Sequence, residues 1–384
     1  MSSAHWRERG VLIVGGGIAG LALAGALGRR GIDCQLVERA EAWAPVGAGI
    51  ILGVNAMAVM RGLGLAEALE AGARTLEGMS ITDAGNRRLV RTNLADLRPR
   101  FGVSLALHRA LLHEALLAAA AGVPIRMGTT LESLEQNEDR VDVRFSDGNE
   151  ASFGLVVGAD GLRSQVRELV FGALPLRYSG YTCWRMIIEG DELEMGAQEM
   201  WGRGKRFGAV PIGEKQVYCF AVANAEAGRP DPPTGRVERL RALFSEFAGP
   251  VPGLLGQLRQ PGELIQNDLH EIVHRPWHRG NVVLVGDAAH GMTPNMGQGA
   301  AMALEDVAVL GECIESALPL DQSLENWVQR REPRVRWIQD QSRRIGQIGQ
   351  WENPVACTLR NQFARALPNW AATRAMVLLA RQTI

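Results

Sequence analysis

The chain has 384 residues, 46% apolar and 22% charged, with a formal net charge of −1 and five cysteines. That length accommodates two domains, or one large domain carrying an insertion, at the composition of an ordinary soluble protein. The near-neutral charge excludes long-range attraction to nucleic acid or an anionic membrane. The odd, scattered cysteines argue against a disulfide framework or a zinc site and point to a reducing cytoplasm.

Val11–Val14 is short and apolar enough for a buried parallel strand, and Gly15, Gly17 and Gly20 follow in the spacing G-x-G-x-x-G. Residues 18–30 predict a helix of small side chains closed by Gly31. Cys34–Val37 is a second apolar run that ends at Glu38. Gly15 permits a tight turn, Gly17 lets the backbone approach a pyrophosphate, and Gly20 allows close helix–strand packing. The helix start offers free N–H groups to phosphate, and Glu38 is placed to accept from ribose hydroxyls. Residues 11–28 are uncharged and could pass for a short membrane span or signal peptide, but six of these eighteen residues are glycine, which breaks such a helix.

Residues 46–55 form a glycine-rich apolar loop able to lie against a flat ligand, followed by a helix to about residue 69. Residues 75–96 predict a hairpin turning at 83–85. A helix is expected over 105–121 with Arg109 in its first turn, facing either a phosphate or solvent. A strand pair around Val141–Phe145 precedes the buried strand Leu155–Gly158, which ends in GADG with Arg163, Ser164 and Arg167 beyond. Asp160 there can cap the new helix, face a ligand, or both.

Residues 178–273 read as strands with turns at Gly190, 202–204 and 213–214, a proline-rich loop at 228–233 and a helix around 237–247. This is a β-rich unit inserted into the dinucleotide-binding one. The chain returns through a buried strand at 282–285 into GDAAHGMTPNMGQGAAMALED, residues 286–306. Asp287 stands at the strand end. After Pro294, the Gly297–Gln298–Gly299 turn opens a second helix whose N-terminus would stabilise negative charge. The remainder reads as helical, its arginines forming a solvated face.

These three motifs together resemble the single-component flavoprotein aromatic hydroxylases, typified by p-hydroxybenzoate hydroxylase. The resemblance covers roughly residues 10–335, and the motifs keep the family's order and spacing. It implies non-covalent FAD, with NADH or NADPH as a transient co-substrate and O2 as oxidant. It assigns Gly15, Gly17, Gly20, Glu38 and Arg39 to the ADP half of FAD and Arg109 to the pyrophosphate. Asp160 falls in the family's DG motif, and Asp287 matches the aspartate at the ribityl chain. Pro294, Gly297, Gln298 and Gly299 match the segment against the isoalloxazine ring. The implied chemistry is hydroxylation of an electron-rich aromatic or heteroaromatic ring through a flavin C4a-hydroperoxide. The protein then needs to supply positioning, a dry pocket and charge stabilisation.

The implied fold is α/β: a doubly wound, Rossmann-like (GR2-type) FAD-binding domain with an inserted β-sheet substrate domain and C-terminal helices. The expected division is 1–75, 101–176 and 276–335 for FAD, 76–100 and 177–275 for substrate, and 336–384 for the C-terminal helices. Monomer and homodimer both remain open. Within the family, RYSGYTCWR (177–185), GKR (204–206) and Tyr218 look like the substrate sheet of the urate and salicylate hydroxylases. Arg206 and Tyr218 would then face the substrate, although Arg206 could instead pair with Glu214, and Tyr218 could be a core residue. Asn295 stands where the urate-type pattern has an aspartate. His290 reads as a structural member of its motif rather than a base. A halogenase is disfavoured by the absence of its W-x-W-x-I-P segment, and a non-catalytic binding protein on the same scaffold by the intact glycines and Asp287.

Overall fold

The computed structural model of the chain describes residues 5–44, 48–189, 196–213, 215–273 and 277–381. Val11–Val14 lies at the centre of a six-stranded sheet. It pairs in parallel with Leu155–Gly158 on one side and Cys34–Val37 on the other. Val282–Leu284 pairs in parallel beyond Leu155–Gly158, and His278–Arg279 closes that edge antiparallel. The central strands are buried throughout, which is why they are continuous apolar runs rather than alternating ones. Their register aligns Val14 with Gly158, and Gly158 with Leu284. The three loops that follow therefore emerge side by side at the carboxyl edge of the sheet, where open α/β sheets bind their ligands.

Small residues draw the layers together. A Cβ on Gly20 would lie 1.9 Å from the Gly15 carbonyl oxygen, and one on Gly25 would lie 3.0 Å from that of Ala119. Ile18–Arg29 can therefore sit directly on the sheet and on the helix Arg109–Ala119.

A second, seven-stranded sheet runs Ile265–Ile272, Leu176–Glu189, Gln216–Asn224, Lys205–Ile212, Ala197–Trp201, Gly78–Asp83, Arg88–Asn93. Alternation divides its faces. Phe207, Cys219 and Ala221 pack outward with Phe244, Phe247 and Leu254. On the other face the pairs Arg206–Val222, Gly208–Phe220 and Val210–Tyr218 lie opposite one another. There Val210 and Ile212 pack with Leu76 and Ala106 of the first unit. Gly208 is needed because the Phe220 ring lies over it, 2.0 Å from where a Cβ would stand.

Several expectations change. Residues 105–108 are a strand, Leu105–His108, because they pair with Gly49–Leu52 and Arg74–Thr75; the helix begins only at Arg109. The segment after residue 53 is two helices, Val54–Gly62 and Ala66–Gly72, broken at Gly64 with φ +72°. The hairpin at 83–85 forms between Gly78–Asp83 and Arg88–Asn93. Gly190, Glu214 and Val46 lie outside the described residues.

The helix Leu320–Gly349 is continuous across position 336, where the C-terminal segment was expected to start. The C-terminal arginines are only in part a solvated face: Arg330, Arg336, Arg344, Arg365 and Arg374 are exposed. Arg331, Arg334 and Arg360 are buried, and Arg343 pairs with the buried Glu271. Buried acids at Glu271, Glu305 and Asp306 require those counter-charges, a demand that periodicity cannot express.

Candidate active site

At the carboxyl edge of the first sheet, Gly15 turns with φ +108°, an arrangement that leaves no room for a side chain: a Cβ would stand 2.6 Å from the Ala159 carbonyl oxygen. A Cβ on Gly17, in contrast, would meet nothing within 4 Å. That open ground lies at the start of Ile18–Arg29, where no side chain caps the helix and no acid occupies the first turn. Its first N–H groups are thus available to an anion. Glu38 is pinned by backbone donors, Gly16 N–H at 2.6 Å and Ala40 N–H at 2.9 Å, with Arg39 exposed beside it. The indole of Trp43 lies over Gly16 and edge-on to His113, with ring centres 4.9 Å apart.

The second loop spends Asp160 locally. Its carboxylate accepts from the Ser164 hydroxyl at 2.5 Å and from the N–H groups of Gln165 and Val166 at 2.7 and 3.0 Å. Burial raises its pKa in spite of these donors. Asp160 therefore caps Gln165–Phe171, and its Cα borders Gly15. Arg167 ties this loop to the third through hydrogen bonds to the carbonyls of Leu162 and Ala288, at 2.7 and 2.8 Å.

The third loop carries Asp287 at the floor of the cleft. Its carboxylate is open to the cleft but enclosed by protein on its other sides. Burial raises its pKa, while nearby His290 and Arg109 pull the other way. Arg109, exposed at the first position of its helix, thus shares the cleft with Asp287. Pro294 and Gly297 are exposed on the same side; Gly297 takes φ +63° and Gln298 begins the helix Gly299–Glu315, again without a side-chain cap. His290 is fully buried against Asp306 at 2.5 Å and does not reach the cleft.

Beneath this loop is a buried network absent from the sequence reading. Asn55 donates to Gln298 Oε1 at 2.9 Å and to Glu305 at 2.8 Å. Glu305 accepts from Arg331 and Arg334, and Asp306 from Arg331, His290 and Gly286 N–H. Burial raises the pKa of Asp306, but His290 and Arg331 more than offset it and the net direction is down. The sequence signal was there: an acidic pair at 305–306 inside an apolar helix, with arginines three apart on the next one.

Across the cleft, Arg206 is 2% exposed. Nη1 donates to Glu199 at 3.0 Å, Nε to Gln350 at 3.0 Å and Nη2 to Asn295 at 2.7 Å. Its acidic partner among the described residues is Glu199, one strand away; the pairing with Glu214 falls outside the described residues. Asn295 also donates to the Tyr181 hydroxyl at 2.9 Å. Asn295 thereby joins the sheet to Pro294 and the cofactor-side loop. Tyr218 is half-buried on the same sheet face, its Cβ and ring packed on Gly49, and it interacts with Arg185. Burial pushes its phenol up to about 12. Glu199, Gln350 and Tyr181 were not foreseen, because only strand register and the turn of the C-terminal helix bring them to Arg206. Among the described residues no cluster of His, Cys, Asp or Glu could hold a metal, and no helix is long and apolar enough to cross a membrane.

Uncapped helix starts, a glycine cradle with open ground at Gly17 and a cleft carboxylate at Asp287 suit FAD. These features define a flavin-binding α/β protein whose second sheet covers the cleft. The chain belongs to the FAD binding domain family, whose sequence model matches residues 8–342. It is 39% identical over 368 residues to the 2-heptyl-3-hydroxy-4(1H)-quinolone synthase of Pseudomonas aeruginosa, covering 95% of this chain and 96% of that one. Identity is 33% over 336 residues to the FAD-dependent urate hydroxylase of Klebsiella pneumoniae, with 85% and 86% covered. The structure of Klebsiella pneumoniae HpxO with FAD and uric acid superposes with a TM-score of 0.91 at 28% identity, covering 99% of each chain. The protein is an FAD-dependent monooxygenase of aromatic or heteroaromatic substrates.

Proposed function

We propose that the substrate is a neutral, apolar heteroaromatic of the 4-quinolone type, hydroxylated on the ring at the expense of NAD(P)H and O2. The observation that carries this reading is the state of Arg206. Its charge is already answered by Glu199, and its Nε and Nη2 are taken by Gln350 and Asn295, so it offers little to an anionic ring. Around it the sheet face presents Tyr218, Phe220 and Ile187, side chains that suit an uncharged ring with an aliphatic substituent. One relative at 39% identity, the 2-heptyl-3-hydroxy-4(1H)-quinolone synthase, is named for a compound of this class, and a second at the same identity is the aurachin C monooxygenase/isomerase of Stigmatella aurantiaca.

Bound FAD supplies the hydride-accepting and oxygen-activating chemistry. Gly15, Gly17 and the start of Ile18–Arg29 would hold the pyrophosphate with Arg109, Gly20 letting that helix approach the Gly15 turn. Glu38 and Arg39 would hold the adenosine side, and Asp287 would accept from the ribityl hydroxyls. Pro294 and the Gly297–Gly299 turn would hold the isoalloxazine side. Gln298 is kept in place from below by Asn55. Asp160 acts by fixing the loop beside Gly15. Tyr218, whose phenol keeps its proton at neutral pH, donates a hydrogen bond that orients the ring, and Arg206 with Asn295 sets the wall behind it.

The test is a panel of 2-alkyl-4-quinolones, urate and aminohydroxybenzoates, scored by stimulated NAD(P)H oxidation and by a product one oxygen atom heavier. A quinolone is expected to be the best substrate. Turnover of urate or a benzoate with quinolones inert overturns the proposal.

A further inference from the structure

We propose that the outer face of the helix Pro354–Ala366 is the two-fold interface of a homodimer. This helix is turned inside out. Its buried residues are Cys357, Arg360 and Ala364. Arg360 donates to the carbonyls of Gly349 at 3.1 Å, Ile348 at 3.2 Å and Gly202 at 3.1 Å, and its guanidinium lies over the Trp201 ring. Arg365 donates to Asp83 at 2.8 Å. The apolar residues point the other way: Val355 is 66% exposed, Leu359 48%, Phe363 72% and Leu367 55%. Trp351 and Trp370, also exposed, extend the strip at both ends.

A spacing of four places Val355, Leu359 and Phe363 in one ridge on the helix surface. Monomeric proteins rarely expose a contiguous apolar patch of this extent. The strip presents on the order of 700 Å², close to the roughly 800 Å² that each partner contributes to an interface of standard size.

Charge selects the occupant. Between Glu352 and Arg374 the chain contains two charged side chains, Arg360 and Arg365; Arg360 is buried, and Arg365, 41% exposed, has its charge answered by Asp83. An anionic lipid surface or a charged partner finds no unpaired charge along the helix ridge itself, from Val355 to Leu367. A second copy meets a ridge flanked by the neutral side chains Thr358 and Gln362. An isologous contact requires a self-complementary surface. Crossing two such ridges with Leu359 on the axis sets Val355 against the partner subunit's Phe363, a large residue against a smaller one. The exposed aromatics, Phe363 and Trp370, are the kind of side chain that dominates interfaces.

The test is sedimentation velocity and light scattering on the FAD-loaded enzyme. The wild type is expected at twice the 41.6 kDa chain mass. Phe363→Glu is expected at the single-chain mass with unchanged FAD content, and Val355→Arg, at the other end of the ridge, should behave alike. Leu359→Cys should form a cross-linked dimer on mild oxidation, since all five native cysteines are buried. A wild type at single-chain mass at about 50 μM, the scale of weak association, overturns the proposal. So does a dimer that survives both charged substitutions. If the monomeric wild type instead co-sediments with phosphatidylglycerol vesicles, the strip is a lipid-facing surface and the proposal fails.

Discussion

Replacing Arg331 by methionine keeps most of the side-chain volume and removes one cation from the core beneath the flavin-facing loop. Arg331 donates to Asp306 at 2.8 Å and to Glu305 at 2.6 Å, and all three side chains are 3% exposed or less. Breaking a buried pair from one side costs about 3–5 kcal/mol, because the remaining charge is left without its partner. Here the lower end applies. Glu305 keeps Arg334 and Asn55, and Asp306 keeps His290 and the Gly286 N–H. The loss is expected at about 3 kcal/mol at pH 7, a substantial share of the 5–15 kcal/mol typical of whole domains.

The pH dependence supplies a second readout. Burial raises the Asp306 pKa, His290 and Arg331 lower it further than that, and the net folded value is depressed. A depressed carboxyl contributes stability above its unfolded pKa of about 3.9 and loses it as pH falls through the folded value. Arg331→Met removes much of that contribution. The gap between variant and wild type should therefore be constant above about pH 5 and close below about pH 4. Urea unfolding followed by far-UV circular dichroism, repeated from pH 3.5 to 7.5, measures it. A loss under 1 kcal/mol at pH 7, or a gap that does not narrow in acid, refutes the reasoning. Flavin affinity should weaken in the same variant, since Glu305 reaches Gln298 through Asn55.

The glycines of the fingerprint should separate two effects. Gly17→Val is expected to fold with wild-type circular dichroism and to lose FAD, because its side chain enters open ground, whereas Gly20→Ala should lose stability by clashing with the Gly15 carbonyl. Equal flavin content in wild type and Gly17→Val would remove the pyrophosphate from that position. With the Tyr218 phenol pushed up to about 12, its ionisation should leave no inflection in kcat/KM between pH 7 and 10; an inflection abolished by Tyr218→Phe would make it a base. Arg206→Gln strips Glu199 and Asn295 of their shared donor, so peroxide released per NAD(P)H should rise several-fold while NAD(P)H oxidation persists. A variant as tightly coupled as the wild type would place Arg206 outside the substrate wall.

The amino-acid sequence alone was enough to read the central strand, the glycine turn, Glu38 and the two later strand-end motifs. Each is a local signal: an apolar run sets a buried strand, a glycine spacing sets a turn, and a small-residue run sets a helix that can approach a sheet. Local signals failed where long-range pairing overrode them. Leu105–His108 is strand because Gly49–Leu52 lies alongside it, and Arg331, Arg334 and Arg360 are buried because acids and carbonyls far away in the chain wait for them. Helical periodicity reports which residues share a face, not whether that face meets water or a buried carboxylate. Only the tertiary structure decided that Arg206 answers to Glu199, Gln350 and Asn295, since strand register and the end of a thirty-residue helix must both be in place before those groups meet.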